Sequence, residues 1–255
     1  MTHSEGFYAH PEYYDILFDW DRQCEIQFID ACFKYYGVDS CAKILEIACG
    51  TGLVGIPLAK KGWDLFCLDF SQPMLDYMLK KESMQPILES IHPICADMRD
   101  FELEHKVSGA FCTIGSIGLL ENDEDMVQHL KCVQQNLIKN GVYIIDLGIV
   151  EGETIKSRYE EIIWSNNRNG ITVEAEGGKV YVLEEGCEEK EFDWEAVPYE
   201  YNPQHFISLI DQSEAFEIEA WHEESELNED GISLFEIERT TKKPVNRSML
   251  VLRAL

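Results

Sequence analysis

Basic residues are scarce in this sequence: 21 Lys and Arg stand against 48 Asp and Glu in 255 residues, a formal net charge of −27. A phosphate backbone is repelled by such a field, so no nucleic-acid partner is expected. Residues 151–240 are the most acidic part, with 25 Asp and Glu against 6 Lys and Arg. No stretch approaches the roughly 18 apolar residues that a membrane helix needs, so no membrane partner is expected. The opening MTHSEGFYAHPEYYD has no basic segment followed by an apolar core, and a cytoplasmic protein is expected. There is no C-x-x-C pair, and the nine cysteines are odd in number, which predicts free thiols rather than a disulfide framework. His92 and Cys95 stand three apart without a second pair nearby, so no metal is expected. Internal repeats, low-complexity tracts and Pro/Ser-rich linkers are also missing.

What is present is a rhythm. Tyr13, Tyr14, Leu17, Phe18, Ile26, Ile29 and Phe33 recur at helical spacing over 11–36, with a break at 19–21. From Lys43, short apolar runs alternate with helical ones. KILEIA leads through the turn CGTG into a helix LVGIPLAKKG, and DLFCLD (64–69) leads into a helix over 71–84. Ser71 is the expected N-cap of that helix, with Pro73 in its first turn. IHPICAD (91–97), GAFCTIG (109–115) and GVYIIDLG (141–148) read as strands, with a helix over 122–141 closed by Asn140-Gly141. Runs apolar on both faces and separated by helices predict βαβ units in a parallel sheet covered on both sides.

After Leu147 the rhythm changes. IIWSN (162–166), ITVEA (171–175) and KVYVLEE (179–185) are short strands with turn signals at Asn169-Gly170 and Gly177-Gly178, which predicts a β-meander. A helix at about 203–213 follows, then the strands FEIEAW (216–221), ISLFEIE (232–238) and SMLVLRA (248–254). Such late strands can return to the parent sheet as antiparallel edges.

Chemistry concentrates at ILEIACGTG. Gly50 and Gly52 let the backbone turn sharply and lie close against a ligand, and the helix starting near Leu53 points its free N–H groups there. Glu46 sits within the strand, where a carboxylate needs a partner. A ligand ammonium or sulfonium would supply one; capping of a neighbouring loop is the alternative. Asp69 ends the second strand, 19 residues after Gly50, placed to accept hydrogen bonds from ribose hydroxyls. Gly50 to Gly55 also spells the G-x-G-x-x-G of nicotinamide-dinucleotide binders. Glu46 ahead of the turn, and a meander in place of a second mononucleotide-binding half, weigh against that reading.

Together these segments resemble class I S-adenosylmethionine-dependent methyltransferases of the small-molecule branch. The first motif, E/D-x-G-x-G-x-G, is matched by Glu46, Ala48, Gly50 and Gly52, with Ala48 in place of a glycine; Cys49 and Thr51 lie inside it. The resemblance implies that these six residues contact the cofactor. LFCLDFSQPMLDYMLKK resembles the second motif, which implies Asp69 at the ribose and Phe70 and Met74 near the adenine. ICADMRDF resembles the third, with Asp97 at the adenine amino group and Ala96 and Met98 lining the ring. FCTIGSIGLL resembles the fourth, with Thr113 and Ile114 near the methionine portion. NLIKNGVYIIDL resembles a segment usually written L-x-P-G-G, here with Lys139-Asn140 replacing Pro-Gly. Tyr14 and Asp15 resemble an N-terminal helix that closes over the cofactor.

The fold so implied is α/β: a Rossmann-like, doubly wound, mostly parallel seven-stranded sheet with an antiparallel β-meander added after the fifth strand. Its expected parts are a helical lid (1–40), a cofactor-binding core (41–150), the meander as substrate cover or dimer surface (151–200), and a last helix and strands completing the sheet (201–255). The implied reaction is methyl transfer to N or O of a small metabolite by in-line displacement, for which a protein supplies orientation and exclusion of water. No residue declares itself a general base. Tyr14, His10 and Asp146 are the candidates, with Tyr8 beside them, and Trp164 and Tyr181 are candidates for an acceptor wall. The fourth motif lacks an Asn-Pro-Pro-Tyr run, so adenine or glutamine amino groups are not implied as acceptors. A non-catalytic sensor or assembly protein that binds S-adenosylmethionine remains an alternative, as does an NAD(P)-dependent oxidoreductase.

Overall fold

The computed structural model describes residues 6–150, 152–156, 164–176, 178–194, 199–223 and 246–255. Five strands run parallel: β1 (Lys43–Ile47), β2 (Asp64–Asp69), β3 (Ile91–Cys95), β4 (Val107–Cys112) and β5 (Leu137–Ile149). The predicted meander follows as β7 (Trp164–Arg168), β8 (Ile171–Glu176), β9 (Lys179–Glu184) and β10 (Lys190–Asp193), an antiparallel four-stranded sheet of its own. It is bracketed by a two-residue ladder of β6 (Ile155–Lys156) with β11 (Tyr199–Glu200). The chain then returns to the large sheet through β12 (Phe216–Glu223) and β13 (Asn246–Ala254). The seven-stranded order is β12-β13-β5-β4-β1-β2-β3, with β13 antiparallel to both neighbours.

Alternate side chains of each strand point to opposite faces, and both faces are buried. On one, Leu45, Ile47, Ala110, Tyr143, Ile145 and Leu252 pack against α5 (Asp123–Asn136) and α6 (Pro203–Ser213). On the other, Ile44, Leu65, Phe111, Ile144 and Val251 pack against α2 (Gln23–Tyr35), α3 (Gly55–Lys60) and α4 (Gln72–Lys80). A third cluster lies apart. α1 (Pro11–Leu17) contributes Tyr13, Ile16 and Leu17, the meander contributes Val173, Ala175, Val180 and Val182, and Phe7, Phe18 and Trp194 complete it.

The break read at 19–21 separates α1 from α2, but the two helices have different work. α1 packs in the third cluster, whereas Phe28, Ile29 and Phe33 of α2 are fully buried under the sheet, so the segment expected as one helical lid over 1–40 packs in two places. The helix read over 122–141 stops at Asn136. Asn136 Nδ2 donates to Cys132 O and Phe101 O (2.9 and 3.1 Å) and its Oδ1 accepts from Leu103 N–H (2.7 Å), while Leu137 is already paired with Val107. Asn140, at φ 62°, belongs to a register shift inside β5, so Asn-Gly marks a bulge and not a helix end. The segment read as ISLFEIE (232–238), and Ile162 and Ile163 of IIWSN, lie outside the described residues. All nine cysteines are free thiols. No helix among the described residues is long and apolar enough to cross a membrane.

Candidate functional site

Strand order reverses between β1 and β4, and open α/β sheets bind ligands beyond the C-terminal ends of strands at such a point. There the backbone enters the left-handed region repeatedly: Ala48 (φ 55°), Gly50 (φ 53°) and Gly52 (φ 77°) after β1, Ile114 (φ 60°) and Gly115 (φ 66°) after β4. For β-branched Ile114 this conformation is strained. Asp146, fully buried on β5, holds it by accepting the Ile114 N–H at 2.7 Å. The candidate base Asp146 is thus a clamp on the loop after β4.

Asp69 does the same for the loop after β1. Its Oδ2 accepts from Gly50 N–H and its Oδ1 from Ser71 N–H, both at 2.8 Å, which ties the glycine turn to the start of α4. Burial pushes its carboxyl pKa up, and the backbone donors oppose that. The Ser71 hydroxyl makes no capping bond; it donates instead to Tyr8 O at 3.3 Å, joining α4 to the lid.

Glu46 serves the loop and not the open crevice. It is 3% exposed and accepts from Gly55 N–H at 3.2 Å and from the Cys67 thiol at 3.9 Å. A Cβ at Gly55 would stand 2.1 Å from Glu46 Oε2, so the helix start closes on the carboxylate only because residue 55 is glycine. This use of the first N–H of α3 replaces the free donor expected for a ligand. Burial pushes the Glu46 pKa up to about 8.

Over this turn lies α1. The Tyr14 ring stands 3.7 Å from where a Gly50 Cβ would be and stacks on Phe18 at 4.4 Å. Burial raises the Tyr14 phenol well above its ordinary value, which removes it as a base at neutral pH. Asp15 beside it bonds the Thr51 hydroxyl and Lys81 Nζ (2.7 Å), and Lys81 Nζ donates to Thr51 O at 2.8 Å. This latch was not visible in the sequence, because its three members are 30 to 66 residues apart. The meander covers α1 in turn: Arg168 pairs with Asp19 at 2.7 Å and donates to Asp15 O at 3.0 Å. The Tyr8 hydroxyl accepts from Trp194 Nε1–H (3.1 Å), and His10 lies against Phe192 with ring centroids 4.5 Å apart. His10 is therefore turned toward the meander sheet. Tyr181 alternates with the inward Val180 and Val182, so it faces away from the lid, and Trp164 pairs with Ala175 at the start of β7.

The remaining expected residues follow the C-terminal ends of β1, β2, β3 and β4. Phe70, next to Asp69, is 48% exposed, while Met74, within α4, is buried. Cys49 is buried inside the turn, its N–H donating to Leu68 O at 3.0 Å. Ala96 N–H donates to Asp69 O at 3.1 Å. Asp97 is gripped by Arg99 (2.6 Å), which holds its carboxyl below the usual range. Met98 O accepts from His129 Nδ1 (2.8 Å), whose pKa burial pushes down to about 4, so the imidazole is neutral. Thr113 is buried beside Ile114. His92 pairs with Asp64 at 2.6 Å and Cys95 approaches Phe70 O at 3.5 Å, so the two have separate partners.

A family model described as a methyltransferase domain matches residues 44–141, the span from β1 into β5. These residues are a methyltransferase domain. A protein of Bacillus subtilis (strain 168) named as a methyltransferase, YqeM, is 31% identical over 107 residues, 41% of this chain and 42% of the relative. The dTDP-3-amino-3,4,6-trideoxy-alpha-D-glucopyranose N,N-dimethyltransferase of Streptomyces venezuelae is 27% identical over 105 residues, 41% of this chain and 42% of the relative. The chain thus spans about two fifths of the length of each of these curated relatives. A solved S-adenosylmethionine-dependent methyltransferase from Clostridium acetobutylicum ATCC 824 superposes with a TM-score of 0.70 at 18% identity, covering 96% of this chain and 97% of that one. That likeness extends the class I fold beyond the methyltransferase domain to the lid, the meander and the last two strands.

Proposed function

We propose that this chain is an S-adenosylmethionine-dependent methyltransferase acting on N or O of a small metabolite. The observation that carries the reading is the Asp69 carboxylate, fixed by Gly50 and Ser71 amides at the end of β2 with the Tyr14 ring closing over the turn. A carboxylate with both oxygens held still keeps lone pairs for two ribose hydroxyls. Phe70 leaves an exposed ring face beside it for a flat base, and Asp97, steadied by Arg99, is an acceptor for an exocyclic amine. These groups fit an adenosine. Thr113 and Ile114 would border the methionine portion. The cofactor, when bound, supplies a methyl group activated by a sulfonium centre.

What the chain itself adds is position and dryness. Asp69 and Asp146 fix the two loops that meet at the crevice, and the lid with its meander cover excludes water from it. The names of two relatives support the reading: one is S-adenosylmethionine-dependent, the other transfers methyl to an amino-sugar nitrogen. Calorimetric titration with S-adenosylmethionine, S-adenosylhomocysteine and NADH, on the native chain and on Asp69→Asn, tests it. Both sulfur nucleosides are expected to bind, at least about ten-fold more weakly to the variant, a loss of about 1.4 kcal/mol. Binding of NADH with neither nucleoside would overturn the proposal. Turnover to S-adenosylhomocysteine with an added acceptor separates the enzyme from a sensor that only binds.

A further inference from the structure

His129 is a fully buried imidazole on α5, with Nδ1 2.8 Å from Met98 O and Nε2 2.8 Å from the Tyr143 hydroxyl. A carbonyl only accepts, so Nδ1 carries the proton, and the bare Nε2 accepts the Tyr143 O–H. Burial favours the neutral ring that this arrangement needs. Tyr143 is itself fully buried on β5 and also meets the Cys112 thiol of β4, so its hydroxyl has a neighbour on each side. The sheet thereby dictates which nitrogen of His129 faces the loop after β3.

That loop carries Asp97. Asp97 Oδ1 accepts from Arg99 N–H (2.8 Å) and from Arg99 Nε–H (3.0 Å, shared with Oδ2 at 3.2 Å), and Oδ2 accepts from Arg99 Nη2–H (2.6 Å). A carboxylate has about four lone-pair directions. One therefore remains, on Oδ2, with room for a single N–H of a flat base. Where it points depends on the backbone of residues 97–100, and α5 holds this turn at three places. Arg99 Nη1 pairs with Asp125 at 3.0 Å, Gln128 Nε2 donates to Arg99 O at 3.3 Å, and His129 Nδ1 donates to Met98 O. The first two are open to water, which competes for the same groups. The imidazole is shielded from it, so its bond is the firmest of the three fastenings.

Resting on the methyltransferase reading above, we infer that His129 is a positioning residue for the base of the cofactor. By holding the Met98 carbonyl it aims the remaining lone pair of Asp97, and so selects a 6-aminopurine over a 6-oxopurine. The probes are S-adenosylhomocysteine and S-inosylhomocysteine, in which oxygen replaces the 6-amino group, titrated calorimetrically into the full chain. The native chain is expected to prefer the amino form at least about ten-fold. Tyr143→Phe keeps the Nδ1–H donor and should keep that preference. His129→Leu combined with Tyr143→Phe removes both buried polar partners together, which spares the core an orphaned hydroxyl. It should lose about three-fold or more of the preference, through weaker S-adenosylhomocysteine with S-inosylhomocysteine unchanged. His129→Asn combined with Tyr143→Phe puts an amide N–H where Nδ1–H stood and should restore it. An unchanged preference in the leucine variant, an equal loss of both nucleosides there, or failure of asparagine to restore the preference overturns the inference. So does nitrogen NMR of the native chain showing the His129 proton on Nε2, a result that needs no variant. A native chain that binds both nucleosides equally places the base away from Asp97 and overturns it too, whereas one that binds neither counts against the cofactor reading itself.

Discussion

Ala48 stands in the first turn at φ 55°, where the family motif has glycine. An L-residue with a Cβ there costs roughly 1–2 kcal/mol, partly offset because glycine gains more freedom in the unfolded chain. Ala48→Gly is therefore expected to stabilise the fold by up to about 1 kcal/mol, a rise of roughly 2–4 °C in Tm. A loss of stability in a thermal melt would show that the methyl group makes a packing contact worth more than the strain. Glu46 gives a pH signature. Its carboxyl rises from an ordinary 4.5 to about 8 on folding, because burial disfavours the charge. A group raised in the folded state contributes fully below its unfolded pKa and loses that contribution as pH climbs through the folded one. In the ligand-free protein, wild-type stability should thus fall relative to Glu46→Gln between about pH 5 and pH 8. Each pH unit across that window removes at most about 1.4 kcal/mol, so the gap reaches a few kcal/mol at most. Denaturant unfolding of both chains at several pH values decides it, and parallel curves would mean that Glu46 is charged in the fold.

At the scale of elements, the lid is held less by its own seven residues than by what it touches. α1 is too short to be helical alone; it depends on the third apolar cluster and on the Asp15 latch. Lys81→Met leaves the Asp15 carboxylate buried with only the Thr51 hydroxyl, so α1 is the element that should loosen. Amide exchange in residues 11–17 is expected to speed up about ten-fold or more, with β1 and β4 unchanged. Acceleration throughout the sheet would mean instead that the latch supports the whole fold. The same element shows what a sequence discloses. β1, β2, β4 and β5 were legible because each carries its own two-faced apolar run, and the glycine turn with Asp69 was legible because motif residues lie together. The latch was not, since Asp15, Thr51 and Lys81 have no local pattern in common. Nor were Glu46 and Asp146 readable as loop clamps: a buried acid looks the same whether it faces a ligand or a backbone amide. Asn136 hid the end of α5, because its stop signal is a tertiary contact with 101–103 and not a cap in the sequence. β10 and the β6/β11 ladder are too short to carry a period.

For the molecule as a whole, a charge of −27 acts on stability. Exposed ion pairs such as Arg168 with Asp19 are weakened by salt, but acids far outnumber the bases available to pair with them. Repulsion among the surplus carboxylates opposes the compact state. The Debye length falls from about 30 Å at 0.01 M to about 8 Å at 0.15 M ionic strength, so over that range the distant repulsions are lost first and the contact pairs last. Thermal stability is therefore expected to rise as sodium chloride goes from about 10 to 150 mM. Melting along one salt series measures this, and a melting temperature that fell with salt would put the local ion pairs, not the net charge, in control.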